Sequence, residues 1–404
     1  MRRCPAMTRA ALLAAALISA LPILAAVPAL AAEPKPGDRF QVDPASLPPP
    51  NATRSKANPA DVVKRPPAAR LAVPAGWRAT LFAEKLDHPR NLMVLPDGSL
   101  LVAEQHADKL TRLSDTDGDG RANLRTTFAD GFAEPFGLAF HDGAVWVADT
   151  RRVWRLPWQA GLAQAEGREP VTETGALGDD RGHSTRSLAI APDGRHFYVG
   201  IGSAANIAEE PAPRATVQEF RIDGGGQRSF AAGLRNPVGL AFRPGSNELW
   251  TAVNERDGLG DELVPDYLAR VEEDAFYGWP YAYIGGYPQP GFAEKSPGKV
   301  KETRVPDLLF RSHSAPLGLA FLDGDAYVAL HGSWNRSTPI GYFVARVPFK
   351  DGKPEGHYEA FATGFTVSPG TVWGRPVGIA AGPDGTLYVA DDTGNTVWRI
   401  EKVK

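Results

Sequence analysis

Histidines, arginines and asparagines recur in this chain at the edges of apolar runs, the places from which loops could gather them into one site. His183, in GHSTRSLAIAPDG, is an imidazole whose ordinary pKa of about 6.5 suits proton transfer at neutral pH. Arg235-Asn236, Arg375 and Arg336 offer planar guanidinium forks and an amide. Such groups fit a small polyanionic or polyhydroxylated ligand. Each arginine has a second reading, as a tie between loops through backbone carbonyls. His313 and Trp334 could line the same hollow, Trp334 by covering a flat ring, or could pack in the core or rim. The stretch Asn254-Glu255-Arg256-Asp257 and Asp261-Glu262, followed by Tyr277, is rich in the oxygen ligands a hard cation takes. It reads equally as a solvated acidic loop.

These residues are far apart in number, so their meaning depends on what positions them. One phrase, roughly Pro-x-Gly-Leu-Ala followed by Asp-Gly and an alternating apolar run, recurs along the chain. Its copies are HPRNLMVLPDGSLLVAEQ (88–105), EPFGLAFHDGAVWVADT (134–150) and STRSLAIAPDGRHFYVGIGS (184–203), then NPVGLAFRPGSNELWTAVNE (236–255), APLGLAFLDGDAYVALHGS (315–333) and RPVGIAAGPDGTLYVADD (375–392). Each copy predicts a strand, a tight turn and a second strand, with Asp-Gly supplying the positive φ of a short hairpin. Copies start roughly 45 to 80 residues apart, enough for a four-stranded unit with loops. The expected fold is all-β, a six-bladed β-propeller.

The register assigns an end. The Asp-Gly turns crowd one end of the fold, so residues before each first strand and after each second strand gather at the other. That set contains His88, Glu134, His183-Ser184, Arg235-Asn236, His313-Ser314 and Arg375. It also contains Gln105, Asp149, Ser203, Asn206, Asn254-Glu255, His331, Asn335-Arg336 and Asp391-Asp392. Function is expected at that mouth. The run Asp115-Thr-Asp117-Gly-Asp119-Gly120 looks like the start of an EF-hand calcium loop, but Thr126 stands where the bidentate Glu is needed. It reads as an acidic turn or a structural calcium site, with no catalytic part.

The chain has 404 residues, 42 Gly, 36 Pro and a formal net charge of −3. That composition suits a turn-rich β protein and gives no general attraction to nucleic acid. Residues 1–31 read as a signal peptide: Arg2, Arg3 and Arg9, a short apolar stretch, and Ala29-Leu30-Ala31. Periplasmic or secreted localisation follows, without stable membrane insertion. The single cysteine, Cys4, lies in that segment, so the exported chain has no disulfide, Cys-ligated zinc or c-type haem. Residues 32–70, rich in Pro and Ala, read as an extended arm. Residues 71–404 form the propeller domain, with LAVPAGWRATLFAEKL opening its first blade and NTVWRIEK its last strand. The aromatic segment 258–292 reads as a long insertion, a candidate lid.

On the phrases GLRNPVGLAFRP, LWTAVNERDGLGDELVPDYL, FYGWPYAYIGGY, HGSWNRSTPIGYFVARVPF and GRPVGIAAGPDGTLYVADDTGNTVWRI, the chain resembles the glucose/sorbosone dehydrogenase family. Its nearest likeness is the L-sorbosone dehydrogenase-like branch, and the match covers nearly all of residues 75–402. The resemblance implies six-bladed propellers that use pyrroloquinoline quinone (PQQ) and calcium to oxidise a sugar or sugar-derived aldehyde or alcohol. It implies His183 as proton acceptor, and Arg235, Asn236, Arg375 and Arg336 at the cofactor, with His313 and Trp334 as further lining. It implies Glu262 and Tyr277 as calcium ligands. With no haem motif, a separate acceptor such as a cytochrome or a quinone takes the electrons. The chain departs from the family in having Ser203 at a position that is acidic in glucose-oxidising relatives, and Gly182-His183-Ser184-Thr185 where the branch commonly has two adjacent His and an aromatic. Two other readings stand beside this one: a calcium-dependent lactone hydrolase, and a non-catalytic propeller that binds carbohydrate or protein.

Overall fold

The computed structural model describes Met1 and residues 33–403, so the expected signal peptide lies outside the described residues but for its first. The described chain is nearly all β, with one short α-helix at Pro297–Glu302. Each repeat forms the expected hairpin, on Asp-Gly in five copies and on Pro244-Gly245-Ser246 in the fourth, and later strands extend it into a sheet of four or five. The first sheet takes Pro89–Val94, Leu100–Glu104, Lys109–Ser114 and Leu124–Ala129. The second takes Gly137–His141, Ala144–Ala148, Val153–Pro157 and Glu169–Pro170. The third takes Arg186–Ile190, His196–Ile201, Thr216–Arg221 and Arg228–Ala232, with Ala275–Phe276 added in parallel. The fourth takes Pro237–Phe242, Leu249–Val253, Tyr267–Arg270 and Leu308–Leu309. The fifth takes Pro316–Leu322, Asp325–Leu330, Phe343–Val347 and Tyr358–Ala362, edged by Arg39–Phe40 of the arm.

The sixth sheet corrects the sequence reading. Its strands are Pro376–Ala381, Leu387–Asp391 and Thr396–Lys402, and its outer strand is Trp77–Glu84. The strand expected to open the first blade therefore joins the last sheet and pairs the beginning of the domain with its end. The 258–292 segment also differs from an insertion: it contains Tyr267–Arg270, a full strand of the fourth sheet.

The third position of the repeat explains why the sheets stand side by side. A Cβ on Gly137 would overlap the Arg186 carbonyl, and one on Gly318 the Val377 carbonyl. A Cβ on Gly239 would lie 2.7 Å from Leu319 Cβ, and one on Gly378 2.8 Å from the Arg90 carbonyl. In these four copies the missing Cβ is what lets the innermost strands approach this closely. Two copies carry Asn91 and Ser187 there instead, and these side chains donate to the Phe136 and Val238 carbonyls of the next inner strand. The contact thus runs from each sheet to the next, and from the sixth to the first. Core clusters fill the same interfaces: Leu101, Phe128 and Val145 between first and second sheets, Trp250, Phe321 and Val328 between fourth and fifth, Phe82, Leu100 and Tyr388 between sixth and first. Each large buried side chain contributes about 1.5–3 kcal/mol, so cohesion lies mainly between sheets. At the centre, Phe136, Val238, Leu317 and Val377, the residue before the repeat glycine in four copies, form an apolar plug. That plug lies just beneath the strand starts and forms a floor for the mouth.

Candidate functional site

His183 sits half-buried at the mouth end of the third sheet. Its backbone N–H donates to the Ser203 carbonyl at 3.1 Å, and its Nδ1 faces the same oxygen at 2.7 Å. A carbonyl oxygen only accepts, so the ring carries its proton on Nδ1 and presents the Nε2 lone pair. Burial, then the nearby Arg235 charge, pushes the His183 pKa down to about 4, so the imidazole is neutral at pH 7. Ser203 supplies the orienting contact that a carboxylate would otherwise give. Beside it, a Cβ on Gly202 would lie 2.7 Å from His183 Cβ and would overlap Asn236 Oδ1. Asn236 is thus next to His183, and its Oδ1 is buried with no partner among the described residues. Gln105, from the first sheet, reaches Ser184 Oγ at 3.3 Å and is a neighbour the sequence reading did not single out for chemistry.

Across the ring, the fifth, sixth and first sheets build a charged corner. Arg375 donates from Nε to the His331 carbonyl at 2.9 Å and from Nη2 to the Gly332 carbonyl at 3.1 Å. Its Nη1 has no partner among the described residues. His331 Nε2 meets Asp392 Oδ1 at 3.0 Å, and Arg90 Nη1 meets Asp392 Oδ2 at 2.6 Å. Burial would raise the Asp392 carboxyl, but His331 and Arg90 outweigh it and hold the group below the usual carboxylate range. The neighbouring Asp391 accepts the Arg375 backbone N–H, and burial raises its pKa to about 7. Arg90 is thus ion-paired with a firmly ionised carboxylate, whose charge is also felt at Arg375. Arg90, which precedes the repeat's third position in copy one, is a site residue that sequence reasoning missed.

The remaining expected residues are committed within the protein. Arg235 spends its donors on the Asn206, Asn254 and Glu255 carbonyls and on Asn206 Oδ1, at 2.9–3.3 Å. It is a tie between third and fourth sheets whose charge is felt at His183. Arg336, 4% exposed, donates to the Asp261 carbonyl and to Glu262. His313 uses both ring nitrogens, on Asp257 Oδ1 and the Gly260 carbonyl, each at 2.9 Å. Burial opposes charge on His313, but those two bonds prevail and raise its pKa. Trp334 stands 48% exposed on the rim. Behind Arg235, Glu255 and Asp266 are buried, and burial raises each to about 7.

The expected calcium pair is not brought together. Glu262 pairs with Arg336, whereas the Tyr277 hydroxyl donates to the Arg270 carbonyl. Tyr267–Arg270 runs from the mouth toward the turn end, so Arg270 marks the end opposite Glu262. Among the described residues, Asp115, Asp117 and Asp119 do cluster, but they follow a strand that ends beside the Asp-Gly turns. A separate cavity of about 340 Å³, lined by Glu33, Asp38 and Phe40 of the arm and by residues of the fifth sheet, touches Ser314 of the expected mouth set but none of the residues expected at the cofactor, base or metal.

The register gathers at this end a neutral histidine and a buried amide oxygen, with His183 Nε2 and Asn236 Oδ1 unpartnered among the described residues, together with two arginines and an apolar floor. That set fits a flat polyanion stacked on the floor, with a hydroxyl-bearing substrate beside His183. Comparison with known proteins agrees with the fold. The TrAA12-like family model matches residues 71–268 and 298–403. An uncharacterized protein of Borreliella burgdorferi is 26% identical over 358 residues, covering 82% of this chain and 90% of that one. A pyrroloquinoline quinone-dependent pyranose dehydrogenase of Coprinopsis cinerea is 26% identical over 416 residues, covering 83% of this chain but only 55% of its own length. The solved holo PQQ domain of pyranose dehydrogenase from Coprinopsis cinerea superposes with a TM-score of 0.73 at 21% identity, covering 85% of this chain and all of that domain. The matched segments span most of the sequence, and the chain belongs to the TrAA12-like family.

Proposed function

We propose that this chain is an exported PQQ-dependent dehydrogenase that oxidises a sugar or sugar-derived aldehyde or alcohol, of the sorbosone or aldose type. The observation that carries the reading is His183, held as a neutral proton acceptor at the same mouth as the Arg90–Arg375 pair. The similarity to PQQ-dependent sugar dehydrogenases supports it. The six sheets are read as six blades of a closed propeller, supported by the contacts that run from sixth to first.

The residues fit the cofactor. Arg375 and Arg90 would hold its carboxylates, the Phe136–Val377 floor its flat face, and Arg235 adds positive potential. When bound, PQQ would supply an ortho-quinone able to accept a hydride, one proton with two electrons, from the substrate carbon. His183 Nε2 takes the proton from the hydroxyl of an alcohol, a hemiacetal or a hydrated aldehyde, while the Ser203 carbonyl fixes the ring and steadies the imidazolium through Nδ1–H. The Glu262–Tyr277 pair does not fit a calcium ion, so no metal is assigned a step. The reduced enzyme passes its electrons to a separate acceptor, a cytochrome or a quinone, in the periplasm.

The test is reconstitution. Purified cofactor-free protein is titrated with PQQ, then offered a panel of aldoses and sorbosone with a redox dye. Saturable PQQ binding with sugar-dependent dye reduction is expected. Absence of PQQ binding would return the lactone-hydrolase and carbohydrate-binding readings.

A further inference from the structure

The family match begins at residue 71, yet the preceding arm is bonded into the site loops. Near its middle, Asn51 N–H donates to the Leu259 carbonyl at 2.8 Å, and Thr53 Oγ1 accepts from Asp261 N–H at 2.7 Å. The Thr53 carbonyl lies over Gly260, where a Cβ would come within 2.7 Å of it. Ser55 Oγ donates to Asn335 Oδ1 at 3.0 Å, and that oxygen also accepts from Gly258 N–H at 3.0 Å. Asn58 N–H donates to the Trp334 carbonyl at 2.6 Å, and its Nδ2 to the Arg336 and Ser337 carbonyls at 3.2 and 3.0 Å. One eight-residue stretch thus staples the loop after the fourth sheet's second strand to the loop after the fifth sheet's second strand.

The stapled loops continue inward. The Gly260 carbonyl and Asp257 carboxylate grip His313. The Asp257 peptide exchanges two bonds with the Asn206 amide, at 2.9 and 3.0 Å. Asn206 in turn accepts from Arg235 Nε and Nη2 at 3.1 Å each, and Arg235 is the charge felt at His183. Hydrogen bonds therefore run without a break from Thr53 to the guanidinium beside the candidate base. Apart from Leu259, which packs in the core, these loops are held by polar contacts, so partners of this kind help decide whether they hold one shape.

We infer that Thr53, Ser55 and Asn58 are positioning residues: the arm is a clasp that completes the site by fixing the 257–262 and 333–337 loops. The binding part of this inference rests on the PQQ reading. A ligand site whose walls are fixed beforehand binds more tightly, because less ordering is left to the binding step.

The test uses the full exported chain and four variants. Thr53→Ala removes the acceptor for Asp261 N–H, Thr53→Ser keeps it, and Asn58→Ala frees the 333–337 loop. Arg39→Ala breaks an arm contact with Glu359, at 3.0 Å, remote from the site loops. Hydrogen exchange is read on the cofactor-free protein, and PQQ affinity by equilibrium titration. Protection of the 258–261 and 335–337 amides should fall about tenfold in Thr53→Ala and Asn58→Ala, and PQQ binding should weaken about tenfold. Thr53→Ser should restore both, and Arg39→Ala should leave both unchanged. Unchanged protection in the two alanine variants overturns the clasp, as does an equal loss in Arg39→Ala or a failure of Thr53→Ser to restore. If the wild-type chain binds no PQQ, the dehydrogenase reading falls, while the exchange data still decide the clasp.

Discussion

Two corners of the same mouth hold a histidine, and they bond it differently, although burial lowers the pKa of both rings to about 4. His331 has a carboxylate on its Nε2, with Arg90 on the other oxygen of that carboxylate. His183 has only Ser203 on its Nδ1, the carbonyl at 2.7 Å and the hydroxyl at 3.3 Å, and its Nε2 has no partner among the described residues. The first arrangement locks a ring among fixed charges and suits holding an anion. The second leaves a lone pair facing the mouth and suits taking a proton. The difference teaches that chemistry and charge are divided around the ring. The proton acceptor is kept neutral by burial and by a nearby cation, while the cations that could anchor an anion are arranged around Asp392.

The largest way to break that comparison is at the acceptor. His183→Ala should lower turnover about a hundredfold to ten-thousandfold, the usual worth of a positioned base, measured by steady-state dye reduction. Exchanging the other histidine, His331→Asn, should cost turnover far less than this. Arg90→Ala, at the charged corner, leaves Asp392 buried with less compensation and should destabilise the fold by about 3 kcal/mol in urea unfolding. A subtler probe is pH. Burial and Arg235 depress the His183 pKa, so its neutral form persists as pH falls and is lost only near about 4. Nitrogen-15 NMR of cofactor-free protein should therefore show an Nδ1–H tautomer with no titration between pH 8 and 5.5. The smallest effect belongs to Glu262→Gln. It removes a half-exposed partner of Arg336, should cost about 1 kcal/mol or less in the same unfolding measurement, and should leave calcium dependence of activity unaltered.

Much of this architecture was legible in the residues. Asp-Gly turns and apolar runs gave the hairpins their register, and that register alone gathered His183, Asn236 and Arg375 at one end. The joining of the domain's beginning to its end was not legible, because nothing local in Trp77–Glu84 says which distant strand it will pair with; it pairs with Thr396–Lys402. The donor state of the arginines was hidden for a similar reason. Arg235 and Arg336 stand where a ligand's arginines should, but loop carbonyls far along the chain consume their donors. Glu262 and Tyr277 misled because an intervening strand separates them: four residues at about 3.3 Å each carry the chain to the other end of its sheet. Arg90 escaped notice because it lies inside a repeat rather than at its edge, and only the fold sets it against Asp392.

The division of labour is tested most directly by equilibrium titration of His183→Ala and Arg375→Ala with PQQ, side by side with the wild-type chain. Losing one charge-assisted contact should weaken PQQ binding about ten- to a hundredfold in Arg375→Ala, whereas His183→Ala should remain within about tenfold of wild type. The reverse order, with the histidine variant losing affinity and the arginine variant keeping it, would contradict the account.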